Sequence, residues 1–274
     1  MKRAGGFTII EVLIALAITG VLLAAAVAVL TGQTTSTAFQ QSLHDIQSKL
    51  SAAIQNVNNG LLPNETQYTC TVSSSSSRAQ LSPGTGAYGT NQGCIYLGVA
   101  AQVIVDSPNI NFYTILGNQY TTDSDGNKVA TSNLAGAMPT PASTGGTDAT
   151  IALTDKYVPT GGAKLTATRY TDNTGKVVDK ADIAGFYNDP GGSDSTDPQL
   201  LSLVYTGFRS AGVTPTNGLT ECIRGDSGCT SQSMGHWYLC YQDATGQTSA
   251  YIDVTANAAG ISAVIKNQTC PSAS

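Results

Sequence analysis

The longest hydrophobic stretch of the chain lies next to its amino end. Between Phe7 and Leu30 there is no proline, and Glu11 is the single ionisable side chain. A helix of this length, rising about 1.5 Å per residue, can cross the hydrocarbon core of a bilayer. Lys2 and Arg3 precede the stretch, and no Lys or Arg follows before Lys49. We therefore expect the amino end to stay in the cytoplasm and the rest of the chain to lie outside the membrane.

A second pattern extends the predicted helix beyond the membrane segment. Apolar residues recur every three or four positions, as along one face of an amphipathic helix; they are Phe39, Leu43, Ile46, Leu50, Ile54 and Val57. Asn58, Asn59 and Gly60 then form a helix stop. The pattern predicts one helix of about 50 residues, with a membrane part (7–30) and an amphipathic part (31–60) that packs on a domain.

Beyond residue 60 the pattern changes to short runs of apolar, β-branched and aromatic residues. These runs are predicted strands: 94–106, 111–116, 164–170, 200–208, 237–241, 251–254 and 261–265. Segments 61–93, 131–150 and 188–198 are rich in Ser, Thr, Gly, Pro or Asp and are predicted loops. We expect an α+β fold in which residues 61–274 form a head with an antiparallel sheet.

Composition narrows the classes of function. Charged residues make up 11% of the chain, and the net charge is −5. Affinity for nucleic acid comes chiefly from Lys and Arg, so an acidic protein of this kind is not expected to bind DNA directly. The six cysteines all lie beyond residue 69, outside the apolar stretch. An even set in this position indicates disulfides formed in an oxidising compartment. Zinc is the alternative, but the cysteines are widely spaced and there are only two histidines.

Glu11 is the most informative residue of the apolar stretch. A carboxylate in a membrane helix is costly, and it implies a partner or a pathway. No Lys, Arg or His of this chain could reach it there. We therefore expect its partner to come from another molecule. A plain signal peptide, with a cleavage site at 26–28, or a plain anchor helix would explain the apolar stretch but not the acid.

The segment Lys2–Gly6, followed by Phe7–Glu11, resembles the amino-terminal signature of type IV prepilins and pseudopilins. The resemblance implies a type IV pilin fold, in which the meander containing Trp237 packs on the helix stripe. It also implies a leader (1–6) that a membrane peptidase removes by cutting between Gly6 and Phe7. The same enzyme would then methylate the Phe7 amine. In the filament, Glu11 of one subunit would lie near the Phe7 amine of its neighbour, which supplies the missing partner.

Other features of the resemblance concern the helix and the tail. Gly20 matches a helix-weakening glycine of many such pilins, whereas Ala28 stands where several of them carry a proline. Pilins commonly secure their carboxy-terminal region with a disulfide, which favours pairing Cys240 with Cys270. Six cysteines allow about fifteen connectivities, which the sequence does not rank. We favour the sequence-local set: Cys70–Cys94, Cys222–Cys229 and Cys240–Cys270.

The resemblance also implies partners and locations. The partners are other pilin subunits, the prepilin peptidase and methyltransferase, and the assembly platform of the inner membrane. The precursor would lie in the cytoplasmic membrane and the mature subunit in a surface filament. The large head, with its long uncharged loops, favours a minor pilin that serves attachment, motility or DNA uptake. The alternatives are a pseudopilin of a type II secretion-like system and a plain membrane-anchored surface binding protein.

Three further motifs are weaker. Asp123 and Asp125, and separately Asp189 and Asp194, lie in acidic loops that could hold calcium, although solvated turns are the preferred interpretation and no cofactor is expected.

The tripeptide Arg224, Gly225 and Asp226 lies between two cysteines and could form a receptor-binding loop. Gly225 to Gly228 resembles the nucleophile segment of a serine protease, but His44 and His236 are poorly placed to serve as the base, so no enzyme is predicted.

Overall fold

One helix, α1 (Ile9–Asn58), runs without a break through both parts of the predicted helix. The computed structural model describes residues 8–60, 68–74, 77–83, 93–107, 109–142, 154–172, 174–179, 182–188, 201–206, 231–233, 235–257 and 260–273. These residues form α1, a short helix α2 (Leu134–Ala137) and antiparallel sheets. The α+β class is confirmed.

The apolar stripe of α1 is buried, as its periodicity predicted. Its six residues are between 0 and 3% exposed: Phe39, Leu43, Ile46, Leu50, Ile54 and Val57. Fully burying one such side chain contributes about 1.5–3 kcal/mol, so this face fixes the second half of α1 on the head. After the helix ends at Asn58, Gly60 has a φ of +63°, a left-handed conformation that glycine adopts readily.

Sixteen strands lie within the described residues. They are β1 (Tyr68–Val72), β2 (Ala79–Pro83), β3 (Cys94–Val103), β4 (Ile110–Asn118), β5 (Tyr120–Thr122), β6 (Lys128–Ala130), β7 (Thr140–Pro141), β8 (Thr154–Tyr157), β9 (Lys164–Thr171), β10 (Val177–Asp179), β11 (Ile183–Asn188), β12 (Leu201–Thr206), β13 (Ser231–Ser233), β14 (His236–Gln242), β15 (Ser249–Asn257) and β16 (Gly260–Lys266).

The described part of the head contains two large sheets. The five-stranded sheet has the order β10–β9–β14–β15–β16. The seven-stranded sheet has the order β13–β12–β11–β3–β4–β7, and β8 also pairs with β4. Two hairpins, β1–β2 and β5–β6, form small separate sheets. All of these pairs are antiparallel, so short turns suffice for many of the connections.

The stripe of α1 shares a single core with the inner faces of both large sheets. The five-stranded sheet contributes Trp237 and Ile252 to this core, and the seven-stranded sheet contributes Phe112 and Phe186. The rings of Trp237 and Phe186 meet edge to face with their centroids 6.4 Å apart, which joins the two sheets directly. The meander that contains Trp237 therefore packs in the same core as the helix stripe, as expected.

Polar contacts also attach α1 to the head. The Gln47 side-chain amide donates to the Ala263 carbonyl at 2.7 Å, which ties the helix to β16. The Asn188 side-chain amide donates to the Val57 carbonyl at 2.9 Å, which ties the last turn of α1 to β11. The Val57 carbonyl also accepts from the Gly60 N–H at 3.0 Å, so it has two donors at the end of the helix.

The structure corrects three expectations about the head. The segment 61–93, expected to be a loop, contains the hairpin β1–β2, and the segment 131–150 contains α2 and β7. The strands also form two large sheets rather than one. Strand β11 was not predicted; its first five residues are all buried, so it lacks the alternation of polar and apolar residues that marks a half-exposed strand.

Replacing Leu50 by Ala should lower the free energy of unfolding by about 2–5 kcal/mol, because the substitution leaves a cavity at a fully buried site. Gln55→Ala, on the exposed face of the same helix, should change it by less than about 0.5 kcal/mol. Urea unfolding of the full chain in detergent micelles, followed by fluorescence of the single tryptophan, Trp237, gives both values. Equal effects of the two substitutions would contradict the packing described above.

Candidate functional site

The first turn of α1 is closed by reciprocal hydrogen bonds between Thr8 and Glu11. Thr8 has an extended backbone (φ −79°, ψ 148°) and precedes the first helical residue. Its hydroxyl oxygen accepts from the Glu11 N–H at 3.4 Å, while Glu11 Oε2 accepts from the Thr8 N–H at 2.8 Å and from the Thr8 hydroxyl at 2.9 Å. This is a capping box, and it satisfies two N–H groups that a helix start leaves without partners.

The capping box corrects the expectation that Glu11 has no partner in its own chain. Thr8 supplies hydrogen bonds to the carboxylate, and the Thr-x-x-Glu spacing in the sequence could have predicted them. None of the ion pairs among the described residues includes Glu11. Within that part of the chain the carboxylate therefore has hydrogen-bond donors but no counter-charge.

The helix around Glu11 presents apolar side chains on every side. The segment Ile9–Val27 has a mean hydropathy of 2.6, and none of it is buried by the part of the chain that the structure describes. Leu13 and Leu16, for example, are 60% and 64% exposed. By length and composition this segment can cross a membrane. Such a surface is stable only in lipid or against other apolar helices.

The polar groups inside this segment are satisfied by the helix itself. The Thr19 hydroxyl donates to the carbonyls of Ala15 and Leu16, at 2.8 and 3.0 Å. It therefore needs no water in an apolar environment. Gly20 lies one residue further on, and the helix passes through it and through Ala28 without interruption.

Two of the expected disulfides lie within the described residues. Cys70 is joined to Cys94 and Cys240 to Cys270, with Cα atoms 6.0 and 5.7 Å apart. The second bond attaches the carboxy-terminal tail to β14. Arg169 holds the same tail by donating to the Pro271 carbonyl.

The acidic loop at Asp123 is a hairpin turn. The Asp123 carboxylate accepts from the N–H groups of Asp125 and Asn127, at 3.0 and 2.8 Å, and the Asn127 N–H lowers the pKa of this carboxyl group. Asp172 and Asp243 make the same bonds to residues two and four positions later, in the turns of β9–β10 and β14–β15. The repeated geometry explains Asp123 as a turn residue, and calcium binding there stays a prediction.

The remaining predicted site residues are not brought together in the described part of the chain. His44 lies on α1, and His236 lies on β14, where its Nδ1 pairs with Asp253 Oδ1 at 2.9 Å. The described residues contain no group of three or more His, Cys, Asp or Glu side chains that could hold a metal ion. Outside the described residues lie Gly6, Phe7, Asp189, Asp194, Cys222, Arg224, Gly225, Asp226 and Cys229.

The comparisons with known proteins agree with the amino-terminal features. Residues 1–27 match the family model of the prokaryotic N-terminal methylation motif, which is the prepilin signature of type IV pilins and pseudopilins. The match covers Phe7 and Glu11 as well as the whole exposed apolar segment. Neither the curated proteins nor the solved structures gave a match to the chain.

Replacing Thr8 by Val should loosen the first turn of α1, because Val keeps the shape of Thr but cannot accept a hydrogen bond. The loss of an amino-terminal cap costs about 1 kcal/mol, so the Glu11 amide should exchange with solvent about fivefold faster. Amide exchange measured by NMR on the full chain in micelles tests this. Thr19→Val is the matched control and should leave the Glu11 amide unchanged, since the Thr19 hydroxyl bonds only to the preceding turn. An unchanged rate in Thr8→Val would contradict the capping box.

Proposed function

We propose that the chain is the precursor of a structural filament subunit of the type IV pilin class, cleaved between Gly6 and Phe7 and assembled through α1. The observation that carries the proposal is a single carboxylate in an otherwise apolar and exposed helix segment, within the residues that match the methylation motif. The motif supports a role as a subunit rather than as an enzyme. It also supports a membrane-anchored precursor that is processed by a prepilin peptidase.

The contacts of Glu11 suggest how subunits would join. Both bonds from Thr8 end on Glu11 Oε2. The carboxylate can accept further bonds, and the charged amine of a neighbouring Phe7 is the proposed donor. The capping box would hold the carboxylate in one orientation before the neighbour arrives. A charge pair of this kind is strongly attractive in an apolar surrounding, whereas an unpaired carboxylate there is costly.

The proposed arrangement of the chain follows from this assembly. Residues 1–6 would be the leader, 7–30 the membrane and assembly part of the helix, 31–60 the amphipathic part and 61–274 the displayed head. Because α1 and the sheets share one core, each head would be fixed rigidly to its place in the filament. The disulfides Cys70–Cys94 and Cys240–Cys270 suit a head exposed to an oxidising medium.

Within this class we favour a minor pilin of a type IV pilus, because the head is large and contains long uncharged segments. The second candidate is a pseudopilin of a type II secretion-like system, which the same motif would serve equally well. The neighbouring genes discriminate between the two. A retraction ATPase indicates a pilus, and an outer-membrane secretion channel with several pseudopilins indicates secretion.

Mass spectrometry of the mature protein tests the proposed processing. We expect an amino terminus at Phe7 that carries one added methyl group, in cells that contain a prepilin peptidase. Gly6→Leu should block the cut, because it enlarges the residue on the amino side of the cleaved bond, and Ala4→Leu in the same leader is the matched control. An intact leader in the wild-type protein, or a new terminus just beyond Ala28, would contradict the proposal.

A further inference from the structure

The head contains a cleft that is separate from the helix site around Glu11. Its volume is about 840 Å³, and it lies between the hairpins β1–β2 and β5–β6. Among the described residues, its lining also includes Asn118 at the end of β4 and Met138 just after α2. A cleft of this size matches the range of small-ligand pockets.

Asn118 in this cleft carries a polar atom that nothing in the described chain satisfies. The residue is 5% exposed, and its Nδ2 donates to the Ser77 carbonyl at 2.6 Å. Its Oδ1 is buried and has no hydrogen-bond partner among the described residues. Turning the amide over would not help, because it would place two oxygens against each other at the Ser77 carbonyl. Buried polar atoms in proteins normally have a hydrogen-bond partner, so a donor to Asn118 Oδ1 is expected from outside the described residues.

The residues that hold Asn118 have unusual backbone conformations. Ser77 and Met138, which both contact the Asn118 Nδ2 atom, have φ angles of +53° and +50°. Non-glycine residues adopt this left-handed region at an energetic cost, and such residues are concentrated at ligand sites. The energetic cost of these two backbone conformations is consistent with a cleft that binds a ligand.

One face of the β5–β6 hairpin supplies groups that complement a hydroxyl-rich ligand. Tyr120 and Thr122 lie two residues apart on β5 and so share a face, and Lys128 is the cross-strand partner of Thr122. All three line the cleft, and the Tyr120 side chain is 43% exposed. They bring an aromatic ring, a hydroxyl and an ammonium group to one wall.

We infer that this cleft binds a saccharide unit of a glycan. A sugar ring presents hydroxyl donors, one of which would satisfy Asn118 Oδ1 once the flexible Met138 side chain, which contacts the Asn118 amide, moves aside to uncover it. The ring also has an apolar C–H face that would lie against Tyr120. Thr122 and Lys128 would bond the remaining hydroxyls. Carboxylates, which a cation site would need, do not occur among the described lining residues. This inference goes beyond the proposed function, since binding by a single subunit does not require a filament.

A glycan array probed with the full chain in detergent micelles tests the inference, with neutral and carboxylated saccharides as separate arms. We expect at least one saccharide to bind in the micromolar to millimolar range. Tyr120→Ala and Lys128→Ala should each weaken that binding by about tenfold, the loss expected for an anchoring contact. Both positions are exposed, so neither variant should compromise folding. Asn118→Leu would also remove the bond to Ser77, and for that reason it is not the deciding variant.

Val129→Ala is the matched control. Val129 is 40% exposed on the same hairpin but does not line the cleft, so its loss should leave binding unchanged. The inference is overturned if no saccharide binds at millimolar concentration. It is also overturned if binding survives both Tyr120→Ala and Lys128→Ala. Neither result would affect cleavage at Gly6, which tests the subunit proposal independently.

Discussion

The constraint on which the rest of the structure depends is the exposed apolar surface of the first half of α1. No described part of the head covers Ile9–Val27, so this segment is stable only where lipid or other apolar helices replace water. Glu11 adds a second condition, since its charge needs compensation in that environment. Together the two conditions indicate a subunit that is held in a membrane before it joins an assembly. The capping box shows that the acid also stabilises its own helix start.

The second half of α1 attaches the head rigidly to the first half of the same helix. Its stripe is buried in a core that both large sheets share, and its carbonyls and side chains bond to β11 and β16. The head gains further stability from its disulfides Cys70–Cys94 and Cys240–Cys270, which constrain the unfolded chain. The head can therefore present a surface such as the cleft at Asn118 in a fixed orientation relative to the helix.

The helix was readable from its period, and strands were readable where they are rich in aromatic and β-branched residues. The stripe from Phe39 to Val57 predicted the helix face, because one face of the second half of α1 is buried. The residues of β14 from Trp237 to Tyr241 are all buried, but their three aromatic side chains still indicated a strand. Strand β11 is buried in the same way and contains Ala184 and Gly185, which are unfavourable in strands, while β5 and β6 are too short to show a pattern. Asn118 could not be recognised as part of a site, since its role depends on Ser77, which lies 41 residues away in the chain.

The central claim is that Glu11 must be paired with a charge on another subunit, and the recovery of variants in sheared surface filaments tests it most directly. Glu11→Gln keeps an acceptor for Thr8 but removes the charge, and Glu11→Ala removes both. Thr8→Val keeps the charge and loosens only the cap. The account predicts that both Glu11 variants insert into the membrane normally but are strongly depleted from filaments, whereas Thr8→Val is depleted much less. Normal recovery of Glu11→Gln in filaments would contradict the account.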